Sequence, residues 1–460
     1  MPLLRRYRHL MVAVAALAAS SALSSPVMAE TLADALARAY GTNPQLQAER
    51  AGLRATDEGV PQALSGWRPT VTVTGETGKQ RTNNEATTSE RNPSSVELEI
   101  TQPLFNGGRT VFGTRRAEAN VEAGRAQLTS TEQGVLLGAT RAYMNVVRDM
   151  AVLELNRTNE TRLQRQLQAA RDRFRVGEIT RTDVAQAEAR VARATADRIQ
   201  AEGAVVNSRA NYRSIVGDLP GTLSRPAADL VSLPANEQEA LAQAEAGNPD
   251  VLRARHRAQA ARYSVNQVRG ELLPDLEVKG SISKEDDTTS RGSQREVGAV
   301  TATLTIPLYQ AGDVYSRLRA AKETHVQRLE DLDDQRRSAQ ESATSAWNNL
   351  QTAQAAVRSF QAEVSASAIA LEGVQREALV GSRTVLDVLD AEQELLDAKV
   401  NLVRSERNEV VARFELKSAV GGLTATGLKL AVQPYDANRN YSDVRGKWFG
   451  AGKPDRAPSK

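Results

Sequence analysis

Val-Gly-Ser-Arg-Thr-Val-Leu-Asp-Val-Leu-Asp, from Val380 to Asp390, is the most informative segment of this sequence for the architecture of the chain. A long helical pattern leads into it and a second one leads out of it. Gly381 is expected to end the first helix, because glycine adopts the backbone angles found at helix C-termini, and Thr384 can cap the second helix. Asp387 and Asp390 lie three residues apart and therefore share one face of that helix. Apolar residues repeat at spacings of three and four on a neighbouring face, which predicts a coiled-coil seam beside the carboxylates.

The sequence repeats itself once, at a spacing of about 204 residues. Val176-Gly177 and Asp183-Val184 correspond to Val380-Gly381 and Asp387-Val388. Further segments match in the same order: Asn43–Leu46 with Asn248–Val251, Pro69–Gly75 with Pro274–Gly280, Pro103–Gly108 with Pro307–Gly312, and Val216–Gly217 with Val420–Gly421. This period is far longer than that of a solenoid. The pattern therefore predicts two copies of one structural unit.

Each copy contains the same predicted elements, since a period of two marks strands and long runs without proline mark helices. The first repeat, residues 30–217, has a hairpin at 69–103 with a polar loop at 79–93, a long helix at 109–175 and a short helix at 181–216. The second repeat, residues 237–433, has a hairpin at 274–306, a long helix at 312–379 and a short helix at 384–420. Residues 218–236 form a linker. The polar tail, 434–460, is predicted to be disordered.

The N-terminus indicates export. Residues 1–29 combine three arginines, a short apolar run and a small-residue cleavage site, as a secretory signal peptide does. A membrane anchor is the alternative, but the apolar run is shorter than the ~20 residues of a spanning helix. Those arginines account for the net charge of +3, so the mature chain is neutral and nothing points to nucleic acid. The absence of cysteine excludes disulfides, thiolate metal sites and a lipid attached to cysteine.

Four strands in one chain are too few to close a barrel. An ordinary antiparallel sheet with one wet face is one interpretation of their alternating pattern. The other is a membrane sheet, which must close because lipid cannot satisfy open backbone groups; since the smallest such barrels have ~8 strands, several copies would pool their hairpins. Helices of ~100 Å would then bury their seams against other long helices. Trp67, Phe105 and Tyr309 either form an aromatic belt at the membrane edge or pack locally.

These features together resemble the TolC family of outer membrane efflux proteins. The resemblance rests on the signal, the duplicated element order, the two Asn-Pro sites, the Pro-Leu-Phe/Tyr-x-x-Gly junctions and the Val380–Asp390 motif, and it spans roughly residues 30–432. It implies an α+β membrane protein: a homotrimer in which each chain gives four strands to a 12-stranded transmembrane β-barrel in outer membrane lipid, continued by a long periplasmic α-helical barrel.

The resemblance also implies a function and partners. The protein would be the exit duct of a tripartite efflux or type I secretion system, and a periplasmic adaptor (membrane fusion) protein and an inner-membrane transporter would dock at the narrow helical end. The alternative is a soluble periplasmic coiled-coil adaptor, which would need a compact domain rich in short strands. The sequence does not say whether the cargo is a small molecule or a polypeptide.

The implied channel gate lies at the short helices. Asp387 and Asp390 from three copies would form stacked carboxylate rings that attract cations and bind multivalent ones. Arg383 matches the gate arginine of the family and would pair with Thr182 and Asp183, whereas the gate tyrosine of the family falls on Ala378. Without the resemblance, Arg383 and Asp387 would be a weak, solvated pair on one helix, and Asp390 an ordinary surface residue.

Nothing in the sequence predicts an enzyme. His256 and His325 lie among charged helical residues with no second ligand at helical spacing, and the Asp331, Asp333 and Asp334 group is typical of a solvated helix face. No phosphate-binding glycine loop is present. We therefore expect no cofactor and no metal site.

Overall fold

The computed structural model of the protein describes residues 29–85, 87–226 and 230–452. All of the predicted signal peptide except Ala29 lies outside the described residues. The helices are α1 (Leu32–Thr42), α2 (Pro44–Asp57), α3 (Gly59–Leu64), α4 (Arg109–Arg175), α5 (Arg181–Val216), α6 (Glu237–Gly247), α7 (Pro249–Gly270), α8 (Asp313–Leu379), α9 (Val385–Ala419) and α10 (Ala437–Arg445). The strands are β1 (Thr70–Thr77), β2 (Gln80–Asn84), β3 (Thr87–Arg91), β4 (Ser94–Asn106), β5 (Asp275–Asp286) and β6 (Gln294–Thr305).

Two long helices, α4 and α8, dominate the molecule. Each has 67 residues and is therefore about 100 Å long. Both begin after a glycine in the left-handed conformation, Gly108 (φ 78°) and Gly312 (φ 81°), a geometry that only glycine adopts without strain. These helices and the shorter α5 and α9 begin and end within one residue of the predicted positions. Within the described part of the chain, no helix is long and apolar enough to cross a bilayer.

Four strands form one antiparallel sheet in the order β1-β4-β5-β6. The central β4–β5 pair joins the two halves of the chain, so the predicted hairpins are halves of a single sheet. The prediction of a plain loop at residues 79–93 is wrong, because β2 and β3 pair there as a separate antiparallel ribbon. Threonine-rich segments such as this one readily form strands. The polar composition of the segment predicted a loop instead.

The main core surrounds the middle of α4. Residues from α1, α5, α9 and the segment after α9 pack there, and the largest fully buried side chains include Tyr143 and Tyr212. The Tyr143 hydroxyl donates a 2.6 Å hydrogen bond to the Ser224 carbonyl, and the Tyr212 hydroxyl donates to the Glu30 carboxylate. A second core joins α6, α8 and α9 around Leu350. Both cores lie partway along the long helices, so the sheet and the opposite helical end project from them.

The two Asn-Pro sites join helices end to end. Asn43 and Asn248 each accept hydrogen bonds from the first backbone amides of the following helix, at 3.0 and 2.9 Å for the closer amide. Their side-chain amides donate to carbonyls near the C-termini of α5 and α9, those of Ile215 (3.0 Å) and Ala419 (3.2 Å). Each asparagine therefore caps one helix N-terminus and satisfies one otherwise unpaired C-terminal carbonyl.

The prediction of a disordered tail is wrong for the part that the structure describes. After Ala425 the chain returns to the core, and α10 packs on α2 and α3. The Asn440 side-chain amide donates a 2.7 Å hydrogen bond to the carboxylate of Asp57, where both residues are buried. Tyr435 and Tyr40 enclose the guanidinium of Arg50. The polar composition of the tail predicted disorder. The contacts that order it involve a few single residues, which leave no periodic pattern in the sequence.

Candidate functional site

The helical end opposite the sheet consists of two turns that connect each long helix to its short partner. We call residues 176–180 the first tip turn and residues 380–384 the second tip turn. Gly177 (φ 80°) and Gly381 (φ 81°) are left-handed. In each turn a backbone amide reaches back to the helix that ends there: Glu178 donates to the Arg173 carbonyl and Ser382 to the Glu377 carbonyl, both at 3.0 Å. The two turns thus have the same helix-ending geometry.

The same capping box starts both short helices. The Asp183 carboxylate accepts hydrogen bonds from the Thr180 amide (2.9 Å) and hydroxyl (2.8 Å). The Asp387 carboxylate accepts the equivalent bonds from Thr384, both at 2.8 Å. Two predicted site residues, Asp183 and Asp387, therefore begin a helix in addition to any role in a channel.

The cap favours the ionised form of Asp387. The hydrogen bonds from Thr384, and more weakly the charge of Arg383, lower the pKa of the Asp387 carboxyl. Repulsion between the aspartates of several copies would raise the pKa of Asp387. Within one chain, the hydrogen bonds of the cap lower it. Asp387 carries its full negative charge at neutral pH and is partly exposed.

Arg383 is bound on its own turn. Its Nε donates a 2.8 Å hydrogen bond to the Glu377 carboxylate at the end of α8. This pair raises the pKa of the guanidinium. Within one chain, the structure does not bring Arg383 together with its predicted partners Thr182 and Asp183, because Asp183 is engaged by Thr180 and Arg383 by Glu377. A bond between Arg383 and another copy of the chain stays a prediction.

Arg190 and Asp390 form a hydrogen-bonded ion pair that crosses the tip. Arg190 lies on α5 and Asp390 on α9, so this pair ties the first half of the chain to the second. Arg190 was not among the predicted site residues. The repeat gives no signal for it, since the position equivalent to Asp390 is Gln186 and that equivalent to Arg190 is Glu394.

Behind the second tip turn lies an open cleft of about 360 Å³. Its lining combines alanines and larger apolar side chains with glutamines and arginines, and includes Ala170, Ala378, Gln166, Arg173 and Arg383. Ala378, where the resemblance to the TolC family implied a gate tyrosine, lines this cleft. The small side chain at this position leaves the space between α4 and the end of α8 open.

Glu392 is buried beside the tip, with 1% of its surface exposed. One carboxylate oxygen accepts a 2.7 Å hydrogen bond from the Gln166 amide on α4, and the other has no partner among the described residues. Burial raises the pKa of this carboxyl, against the weaker opposite effects of Arg162 and Gln166. The spacing of Asp387 and Asp390 predicted an acidic face on this helix, but it did not predict that Glu392 is buried.

The described residues contain no group of three or more histidine, cysteine or acidic side chains that could hold a metal ion. The Asp331 group pairs with arginines of its own helix: Arg328 with Asp331 and Arg336 with Asp333, both at 2.8 Å. These aspartates therefore lie in helix-surface ion pairs, as the solvated-face interpretation predicts.

The comparison with known families decides the identity. The family described as "Outer membrane efflux protein" matches the chain twice, over residues 35–218 and 240–422. The chain belongs to the outer membrane efflux protein family. This confirms the predicted resemblance and the location in the outer membrane, and it favours the channel over the alternative of a soluble adaptor.

Relatives of this efflux protein match between 72% and 97% of its length. It is 35% identical to the outer membrane efflux protein BepC of Brucella suis over 97% of both chains. It is 29% identical to the outer membrane protein TolC of Vibrio cholerae, over 90% of this chain and 97% of TolC. The alkaline protease secretion protein AprF of Pseudomonas aeruginosa is 26% identical, over 72% of this chain and 70% of AprF. The name of BepC describes efflux, that of TolC an outer membrane protein and that of AprF secretion, and none of these names denotes an enzyme.

Solved structures share the fold of this efflux protein. The Campylobacter jejuni CmeC outer membrane channel superposes with a TM-score of 0.78 at 15% identity, over 90% of this chain and 89% of CmeC. CusC superposes with a TM-score of 0.75 at 18% identity, over 85% of this chain and 92% of CusC. The predicted fold class is thereby confirmed at the level of a mostly helical chain with a small sheet and the architecture of outer membrane channels.

Proposed function

We propose that three copies of this protein form one closed duct through the outer membrane and periplasm. Each copy contributes the sheet β1-β4-β5-β6 to a 12-stranded β-barrel, and the helices of the three copies continue it as an α-helical barrel. The two halves of each chain are two copies of one structural unit. The duct passively conducts cargo that an inner-membrane transporter and a periplasmic adaptor protein deliver to the helical tip.

The open sheet is the observation that carries this proposal. β1 and β6 end the strand order, so in a single chain the outer backbone groups of both strands have no strand partner among the described residues. The register of the strands puts apolar side chains on one face of the sheet, among them those of Val71, Leu98, Ile282 and Val300. Val300 is 81% exposed. An apolar face with two open edges is stable when lipid covers the face and neighbouring copies pair with the edges.

The opposite face of the sheet is polar and suits a water-filled lumen. It carries Glu97, Glu99 and several threonines, and the Lys279 ammonium lies 2.5 Å from the Glu99 carboxylate. This alternation of apolar and polar residues is the pattern of transmembrane barrel strands. The polar face makes an aqueous path continuous with the helical part of the molecule.

At the tip, we propose that Asp387 and Asp390 of three copies surround the exit of the helical barrel as a cation-attracting constriction. The Arg190–Asp390 pair holds the two halves of each chain together in the closed state. Arg383, Thr182 and Asp183 supply further links, between neighbouring copies. Opening then requires the Arg190–Asp390 pair to separate.

The relatives favour a small-molecule cargo. The name of BepC, at 35% identity, describes efflux, whereas that of AprF, at 26% identity, describes secretion of a protease. The adaptor and transporter would meet the tip turns, since these are the most distant part of the chain from the sheet.

Disulfide trapping tests the closed barrel directly, because the natural chain has no cysteine. We would place one cysteine on the apolar face of β1 (Val73→Cys) and one on that of β6, at Val300 or Ala302 in separate variants. If neighbouring copies pair β1 with β6, mild oxidation links the protein into trimers on denaturing gels for at least one variant. Val73→Cys alone is the matched control, since a single cysteine links no more than two chains. Only monomers in both double variants would contradict the proposal.

A further inference from the structure

The end of the described chain reaches the boundary between helices and sheet. Helix α10 carries the chain from the core towards β1. Three contacts hold the helix and the residues before it in place: Asn440 with Asp57, Arg445 with Glu118 (3.0 Å), and the Tyr435 amide with the Tyr40 hydroxyl (2.9 Å). The position of the residues after α10 is therefore fixed relative to the sheet.

Two aromatic side chains, Trp448 and Phe449, follow α10 and point into open space. Trp448 is 58% exposed and Phe449 87% exposed, and their ring centroids lie 6.5 Å apart. The Arg68 guanidinium lies 4.9 Å from the Trp448 ring centroid and donates a 2.8 Å hydrogen bond to the Lys447 carbonyl. Because Arg68 precedes the first residue of β1 by two positions, the aromatic pair lies at the start of the sheet.

We propose that Trp448 and Phe449 insert into the phospholipid interface of the outer membrane, on the side that faces the periplasm. This inference rests on the proposed function, because the membrane begins where the sheet begins only if the sheet spans it. Tryptophan concentrates at such interfaces, since its large ring is apolar and its N–H needs a polar partner. The aromatic pair is thus a lipid anchor at the end of the C-terminal segment.

Charge and position favour lipid over a second copy of the chain as the occupant of this surface. The cations of Arg68 and Lys447 flank the aromatic pair, and basic side chains beside interfacial aromatics lie at the level of the phosphate groups. Phe105 and Tyr309 are also exposed at the sheet–helix boundary, Tyr309 to 81%. The C-terminal pair therefore extends an aromatic level that the sheet already carries, and it does so from a segment outside both repeats.

Quenching of tryptophan fluorescence by brominated phospholipid tests the anchor. The chain has three tryptophans, so Trp67→Phe/Trp347→Phe leaves Trp448 alone. Trp67→Phe/Trp448→Phe leaves Trp347, which lies 34 residues into α8 and thus about 50 Å from the sheet. Both proteins would be reconstituted as trimers in phosphatidylcholine vesicles with bromines at shallow acyl positions.

The anchor predicts that bromine lowers the emission of the Trp448-only protein by about two-fold and leaves that of the Trp347-only protein unchanged. Quenching of Trp448 by aqueous acrylamide instead of bromine would overturn the proposal, because the pair would then lie in water. Protection from both quenchers would also overturn it, in favour of a second copy that covers the pair. Failure of the proposed function is recognised separately, since neither protein would then float with the vesicles.

Discussion

The two tip turns have the same backbone, but the segments around them have net charges of opposite sign. Both end a long helix at a left-handed glycine and start a short helix with a Thr-x-x-Asp capping box. Residues 171–190, around the first tip turn, contain five arginines and four carboxylates, whereas the equivalent residues 375–394 contain two arginines and five carboxylates. The shared part of the motif builds the turn, and the differing part sets the electrostatics of the tip.

This difference gives the two halves complementary roles. The first half supplies Arg190, and the second supplies Asp390 as its partner and Asp387 as a fully ionised carboxylate. If the segments around both turns carried the net negative charge of residues 375–394, α5 and α9 would repel each other where they meet. The comparison therefore predicts that substitutions at equivalent positions have unequal effects, which the following experiments measure.

The largest effect is expected from Arg190→Glu. A glutamate opposite Asp390 replaces attraction by repulsion in every copy, so the tip should open and the single-channel conductance in planar bilayers should rise several-fold. Asp390→Arg in the same protein should restore the low conductance, because the pair re-forms with its charges exchanged. Arg193→Glu is the matched control, since Arg193 pairs with Asp197 on its own helix. Equal conductance of wild type and Arg190→Glu would show that the pair does not hold the tip closed.

Glu392→Gln should stabilise the tip at high pH. The pKa of Glu392 is raised in the folded state, so its contribution is present below its unfolded pKa of about 4.3 and is lost as the pH rises through the folded value. Removing the charge should add on the order of 1 kcal/mol per copy at pH 8 and nothing at pH 4. Thermal unfolding followed by circular dichroism at both pH values measures this. Exposed Glu394→Gln is the control, and a gain of equal size at both pH values would contradict the buried-charge explanation.

Thr180→Ala and Thr384→Ala should destabilise the protein equally, because the two caps have the same geometry. Loss of a threonine N-cap costs about 1 kcal/mol. Since the bonds from Thr384 lower the pKa of Asp387, the stability they provide is present above the unfolded pKa of about 3.9 and disappears as the pH falls below it. Thr384→Ala should therefore make thermal stability less dependent on pH in this acid range. Unequal losses at neutral pH would mean that the two turns are not structurally equivalent.

The smallest effect within one chain is expected from Arg383→Gln. Arg383 pairs with Glu377 on an exposed surface, where ion pairs contribute little. The unfolding temperature should stay unchanged, and conductance should change less than in Arg190→Glu. A conductance increase as large as that of Arg190→Glu would show that the proposed links of Arg383 between copies hold the tip closed as firmly as the Arg190–Asp390 pair.

The sequence predicted the parts of the fold that depend on periodicity and on local motifs. Long runs without proline gave the bounds of α4 and α8, and Gly381 with Thr384 gave the second tip turn. Three features escaped prediction because they depend on tertiary contacts: the β2–β3 ribbon, the packing of α10 through Asn440 and Asp57, and the burial of Glu392. The predicted site residues Asp387 and Asp390 do lie at the tip, but Arg190 could be found only once α5 and α9 were side by side.

Reversal potentials in planar bilayers test whether Asp387 and Asp390, at the start of α9, set the ion preference of the duct. Under a KCl gradient, the wild-type protein should form channels that prefer cations, and Asp387→Asn/Asp390→Asn should move the reversal potential towards zero and weaken block by trivalent cations. Asp183→Asn, the change equivalent to Asp387→Asn at the start of α5, should leave both properties as in the wild type. An unchanged reversal potential and unchanged block in Asp387→Asn/Asp390→Asn would contradict the account.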